Sequence, residues 1–298
     1  MALRKTTSLK KENMKRGLVP YLFILPNFII FLIFVVIPAI YGLVYSFTNY
    51  DGLSEMEFIG LKNYISIFKD AEFWSVLGKT SLYAAIVVPL IFVFSLMIAN
   101  YLIKEIRFKG IIRAIFYWPT MVSFIIVGFT WKWMLGDNFG IVNYFLNLSG
   151  HASVKWLTTG FAASIAVIVA TLWCRIGFYM IIFIGGLQSI PTSYYEAAHI
   201  DGATKWQVFA SITLPLLKPT SLMVIILSVI DAFKSYPLIL ALTGGGPAKS
   251  TTYLVQYIYQ FGFERYEIGY ASAMSVILFV LLGTFTAIQF KINRGGEI

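Results

Sequence analysis

Few residues in this chain have the types and spacing that chemistry needs. The stretch GGGPAKST, residues 244 to 251, places glycines ahead of a lysine and a Ser-Thr pair, the ingredients of a loop that wraps phosphate oxygens in backbone N–H groups. That chemistry requires Gly directly before the Lys, on a turn from strand to helix. Here Ala248 precedes Lys249 and an apolar run leads in, so no nucleotide site is expected. Cys174 is the single cysteine, and His151 and His199 have no metal-like spacing around them, which leaves neither an internal disulfide nor a metal site. No set of His, Ser and acidic residues converges, so the chain carries no catalytic residues. What remains is charge and polarity inside apolar runs, at Arg175, Asp231, Lys234 and Tyr236.

Those runs define the class of protein. Of 298 residues, 58% are hydrophobic and 12% charged, and several runs reach the roughly 20 residues that cross a bilayer core. Soluble folds are thereby excluded. Period-2 alternation is missing, so the spans read as helices rather than barrel strands. The expected fold is an all-α polytopic bundle of six transmembrane helices at about 20–47, 77–103, 112–134, 161–187, 218–243 and 268–290. Pro26, Pro38 and Pro89 fall inside spans and should kink or loosen them. Between the first two, Leu61, Tyr64, Ile65 and Phe68 have the spacing of a helix lying along the membrane surface.

Six basic residues, Arg4, Lys5, Lys10, Lys11, Lys15 and Arg16, precede the first span, which is too long for a signal-peptide core and lacks a small-residue exit. It reads as a retained span. Further basic residues cluster at Lys104, Arg107, Lys109 and Arg113, at Lys205 and Lys218, and at Lys291 and Arg294, while acids concentrate in the other connections. The positive-inside rule then makes residues 1–19 a basic cytoplasmic segment, 20–290 the six-helix domain and 291–298 a short cytoplasmic tail. No basic domain follows the N-terminal run, so nucleic acid is not an expected partner.

Arg175 and Asp231 each fall near the middle of a span, where a charge costs on the order of 2.5 to 3.5 kcal/mol. Two readings follow. The pair locks two helices together, or it forms a polar cavity wall for solute hydroxyls, shared with Lys234 and Tyr236, which follow Asp231 on the same helix.

Between the fourth and fifth spans lies EAAHIDGATKWQVFASITLPLLKP, residues 196 to 219. Ser193 and Glu196 have capping-box spacing, opening a helix that runs to about Asp201. Gly202 follows where a left-handed residue ends a helix without a Cβ penalty. A second helix carries Trp206, Val208, Phe209 and Ile212 on an apolar anchoring face, and Pro215 and Pro219 break the chain near Leu214 before the fifth span. The result is a bent helical knob over 191–219, with small residues on one surface, suited to docking a soluble protein.

This stretch resembles the EAA loop of the membrane subunits of ABC importers. The landmarks are Glu196, Ala197, Ala198, Asp201, Gly202 and Ala203, followed by Phe209, Ile212, Leu214, Pro215 and Pro219. More of the chain is similar to the carbohydrate-uptake branch, the maltose-type and glycerol-phosphate-type permeases, in YLFILPNFIIFLIFVVIPAIYGLVYSFTNY, FIGLKNYISIFKDAEFW, RAIFYWPTMVSFIIVGFTWKWML and LTGGGPAKSTTYLVQYIYQ. The resemblance implies a permease subunit that forms half of a pathway for a sugar or oligosaccharide. It further implies a second homologous permease subunit, an extracellular or periplasmic solute-binding protein, and a cytoplasmic ATPase dimer that holds the ATP and Mg. In such importers the loop sits in a cleft of the ATPase as a coupling helix, which gives Glu196 and Gly202 coupling roles. The residues alone leave a self-sufficient secondary transporter or channel as the alternative; the lack of an internal repeat weakens the carrier version.

Overall fold

The computed structural model describes residues 21–104 and 106–293. The expected basic segment 1–19 and Arg294 in the tail lie outside the described residues. Thirteen helices are built from the described residues: α1 (Tyr21–Tyr45), α2 (Lys62–Lys69), α3 (Ala71–Leu102), α4 (Lys109–Met121), α5 (Phe124–Met134), α6 (Ile141–Leu148), α7 (Gly160–Gln188), α8 (Thr192–Ile200), α9 (Lys205–Leu216), α10 (Lys218–Phe233), α11 (Pro237–Thr243), α12 (Leu254–Tyr259) and α13 (Ile268–Asn293). These residues contain no strand, only an isolated antiparallel bridge between Thr48 and Phe58.

The chain divides into two compact units, one holding the residues up to Ile67 with Phe261–Ile277, the other Phe68–Gln260 with the residues from Leu278. In the first, α1 has no buried residue, only Val36, Gly42 and Tyr45 being half-buried, as suits a helix surrounded by lipid. Just past its C-terminus, the chain is held by Asn63 on α2, whose side-chain amide donates to the carbonyls of Ser46 and Thr48 at 3.0 and 2.8 Å. Ile67 and Asn63 turn inward and Leu61, Ile65 and Phe68 stay exposed, while Tyr64, the fourth residue of the expected stripe, is half-buried with its hydroxyl donating to the Ser46 hydroxyl at 2.7 Å.

The second unit is organised around α7, which packs on α3, α4, α10 and α11. Its fully buried face runs through Ala163, Val167, Ala170, Cys174 and Gly177, small residues that let neighbouring backbones approach. The approach is closest at Gly177, where an added Cβ would lie 1.9 Å from the Phe116 carbonyl oxygen of α4. Side-chain bonds stitch the same interfaces: Ser95 donates to the Ile176 carbonyl at 3.0 Å, and Thr120 to the Cys174 carbonyl at 2.9 Å. Gly177→Val should therefore push α4 off α7 and destabilise the solubilised protein by roughly 2 kcal/mol or more, read as a fall in thermal midpoint, whereas Gly185→Val, at a position with open space around it, should be far milder.

Proline positions account for two departures from regular helix. A π turn over Leu32–Val36 ends with the Ile37 N–H bonded to the Leu32 carbonyl, immediately before Pro38. A second, over Phe209–Thr213, ends with the Leu214 N–H bonded to the Phe209 carbonyl, immediately before Pro215. The wider turn moves a carbonyl out of the way of the proline ring, so each helix continues. Pro26 and Pro89 are accommodated inside α1 and α3.

Three sequence expectations are corrected here. The third span, 112–134, is two helices, α4 and α5, meeting at 99° across Val122 and Ser123. The fifth, 218–243, ends at Phe233, and Lys234 to Tyr236 separate α10 from α11. The break expected near Leu214 comes three residues later; α9 runs to Leu216 and turns by 68° at Leu217 into α10. Four helices, α1, α3, α7 and α13, are each long and apolar enough to cross a membrane, and six spans result when the α4–α5 and α9–α10 pairs each count as one.

Candidate functional site: a charged cavity and a projecting hairpin

Two sites emerge from the second unit. The first is a cavity of about 280 Å³ lined from α3, α5, α7, α10 and the break that follows it. Arg175 of α7 and Asp231 of α10 meet there with the guanidinium 3.3 Å from the carboxylate, and their side chains are 23% and 32% exposed. The same carboxylate oxygen accepts from the Tyr179 hydroxyl at 2.7 Å, and the guanidinium lies over the Phe124 ring, 4.5 Å from its centre. The pair is therefore partly open to the cavity, oriented on both sides, and stabilised by ring electrostatics as well as by Coulomb attraction.

Arg175 and Asp231 bond to one another and also form part of the cavity wall, so the geometry is compatible with either reading drawn from the sequence. Lys234 and Tyr236 line it too, but not from the same helix as Asp231. Lys234 is the residue at which α10 ends and Tyr236 the one that precedes α11, where Pro237 takes the first helical position and its missing N–H costs nothing. Thr171, Ser228 and Ser235 add hydroxyls to the wall. The arrangement offers hydrogen-bond donors and acceptors to a polar solute and contains no nucleophile held against a base.

The second site is the hairpin of α8 and α9. The expected capping box of Ser193 and Glu196 does not form. The helix starts at Thr192 behind Pro191, so Ser193 is already helical and cannot adopt the extended geometry of a cap. A capping box does form one helix later, where the Thr204 hydroxyl accepts from the Gln207 N–H and the Gln207 side chain accepts from the Thr204 N–H at 2.8 Å. Its signal in the sequence is Thr followed three residues later by Gln, the same spacing that Ser193 and Glu196 display.

Gly202 ends α8 as expected, with φ at +70°. The Gly202 N–H bonds to the His199 carbonyl at 3.2 Å and the Ala203 N–H to the Ala198 carbonyl at 2.9 Å, the two bonds of a complete Schellman motif. The Tyr195 and Thr213 hydroxyls, 3.3 Å apart, tie the two helices together. Ala198 is buried, whereas Glu196, Ala197, Asp201 and Gly202 are exposed. Ile200 and Trp206 are 86% and 72% exposed, so Trp206 does not anchor α9 to the bundle as its apolar character suggested. Phe209, Ile212 and Leu214 are half-buried, and Leu217 at the bend is fully buried, so the anchoring is done there.

The family profile described as "Binding-protein-dependent transport system inner membrane component" matches residues 91–294, which contain the hairpin and every residue lining the cavity except Val87. The chain belongs to that family. Relatives of this inner membrane component include a probable starch degradation products transport system permease protein of Thermoanaerobacterium thermosulfurigenes, 33% identical over 97% of this chain and 98% of the relative. The trehalose/maltose transport system permease protein of Thermococcus litoralis is 35% identical over 97% of each chain. Among solved structures, a bacterial alginate ABC transporter in complex with a periplasmic protein bound to an alginate pentasaccharide matches with a TM-score of 0.82, at 26% identity over 95% of this chain and 96% of that one. The family resemblance drawn from the sequence, to carbohydrate-type ABC importer permeases, is thus confirmed along nearly the whole length, and the chain is a multi-pass membrane permease rather than an enzyme.

Sequence reasoning missed Tyr179 and Phe124 in this permease. Tyr179 stands four residues after Arg175, one helical turn on and on the same face, which is a readable signal. Phe124 had none, because it reaches Arg175 only through the corner between α4 and α5.

Proposed function

We propose that this permease forms half of the translocation pathway for a sugar or oligosaccharide, paired with a second homologous membrane subunit and powered by a cytoplasmic ATPase dimer that holds ATP and Mg. An extracellular or periplasmic solute-binding protein delivers the solute. Both termini lie in the cytoplasm, as does the 191–219 hairpin, in keeping with the distribution of Lys and Arg. The sugar class is supported by what the relatives are named for, and by a cavity wall rich in hydroxyl, amine and guanidinium groups.

The observation that carries the ATPase coupling is the exposed hairpin itself, which presents Glu196, Ala197, Asp201 and Gly202 beside two large apolar side chains, Ile200 and Trp206, that the described residues leave uncovered. A partner cleft closing over this surface buries the apolar pair and leaves the small residues for close backbone approach. Purifying the chain by an affinity tag from its native host should bring an ATPase with it, and vesicle uptake of the solute should stop when ATP is withheld. Uptake that persists without ATP and follows an ion gradient would instead make the chain a self-sufficient carrier.

Gly202 tests the contact more finely. An added Cβ there meets nothing within 4 Å among the described residues, so against these the cost of Gly202→Ala is the left-handed backbone, roughly 1 kcal/mol. Gly202→Asn costs less, since Asn tolerates that conformation. If a partner lies against the glycine, Asn should reduce uptake at least as strongly as Ala; if only the turn matters, uptake should follow the order Gly, Asn, Ala.

A further inference from the structure

We propose that the groove beneath the hairpin is a binding site for the headgroup of an anionic phospholipid. It encloses about 810 Å³ and is walled by the C-terminal ends of α3 and α7 on one side and by α8 and α9 on the other. Since α3 and α7 are long and apolar enough to cross a membrane and end at Leu102 and Gln188, a groove at their ends falls where lipid headgroups are expected. Three basic side chains, Lys104, His199 and Lys205, reach it from three different segments, and none has a hydrogen bond or ion pair to its side chain among the described residues. No carboxylate is found among the described residues that line it.

The wall also has an apolar part, formed by Ile103, Leu187 and Phe209. A cationic rim joined to an apolar floor matches a molecule with a phosphodiester at one end and acyl chains at the other, which is why a lipid fits better than a free anion. Asn100 and Gln188 supply neutral amide donors for the remaining phosphate and glycerol oxygens. A bound headgroup connects Lys104, at the end of a span, with Lys205, at the start of α9, and so braces the hairpin against the bundle. The site is separate from the solute cavity and stands whatever the solute is.

The test uses the complete transporter, purified with its partner subunits and placed in nanodiscs of phosphatidylcholine with or without phosphatidylglycerol. Native mass spectrometry should find phosphatidylglycerol retained, and amide exchange over residues 192–213 should slow when it is present. Lys104→Gln with Lys205→Gln should weaken retention by about 30-fold, because two cations near the phosphate are removed at once, while Lys104→Arg with Lys205→Arg should keep it. Equal exchange in the two lipids, or undiminished retention in the Gln pair, would overturn the proposal. So would the same protection from inorganic phosphate added to phosphatidylcholine discs, which would identify the groove as a free-anion site.

Discussion

Glu196→Lys is expected to lower solute uptake by more than about tenfold while the protein still inserts and accumulates in the membrane. The argument rests on what Glu196 lacks. It is exposed on α8, and no hydrogen bond or ion pair ties its carboxylate to the described residues. A surface substitution of this kind changes stability within about 0.5 kcal/mol. Little reason therefore exists within the chain for the variant to fail. If Glu196 accepts hydrogen bonds from the ATPase, reversing its charge places a cation against those donors, at a cost of roughly 2 to 5 kcal/mol. That is ample for a loss of more than tenfold in coupled transport. Uptake by vesicles, ATP hydrolysis by the same preparation and the membrane content of the chain should be measured together. Hydrolysis without uptake indicates uncoupling, and loss of the co-purifying ATPase indicates failed docking. Normal uptake at normal membrane content would remove Glu196 from the coupling surface.

The second large effect concerns Arg175 and Asp231. Removing one member of a buried ion pair costs about 3 to 5 kcal/mol, because the other charge is left without a partner. Here side-chain exposures of 23% and 32% let cavity water share the burden, so about 2 kcal/mol is expected for Arg175→Ala or Asp231→Ala. Each should reduce the amount of folded protein and nearly abolish uptake. Tyr179→Phe, which removes one of two interactions on Asp231, should be milder in both respects.

The exchanged double variant, Arg175→Asp with Asp231→Arg, separates locking from lining. It restores opposite charges across the α7–α10 interface, so accumulation should recover in part. It also takes the cation off the Phe124 ring and inverts the field on the cavity wall, so uptake should not recover with it. Recovery of both together would show that the pair only fastens two helices. Recovery of neither would show that the ring and the tyrosine fix the order of the charges.

The sequence alone reached the site, but only in its parts. Arg175, Asp231, Lys234 and Tyr236 were legible because charge and polarity within apolar runs are costly and so stand out. Their grouping was not, since α7 and α10 lie far apart in sequence and nothing in either helix records the other's rotation. The hairpin fared differently. Its turn at Gly202 was readable because it is local, closed by hydrogen bonds between residues three to five apart. Its cap was misplaced by one helix, because Ser193 and Thr204 are equally plausible when only spacing is considered.

What the sequence by itself determined is the solvent: runs of apolar residues in lipid must satisfy their own backbone, and so they become helices. Composition, the positions of the spans to within a turn at α1, α7 and α13, and the glycine that ends α8 all follow from interactions within a few residues. Only the tertiary structure decided where apolar runs turn. The 99° corner at Val122 and Ser123 lies inside continuous grease, so hydropathy passes straight through it. It exists because the end of α4 is pinned to α7, by Gly177 against the Phe116 carbonyl and by Thr120 bonded to the Cys174 carbonyl, while α5 packs on α11. Hydrophobicity sets what is removed from water but carries no direction, and direction comes from close approach between segments distant in the chain.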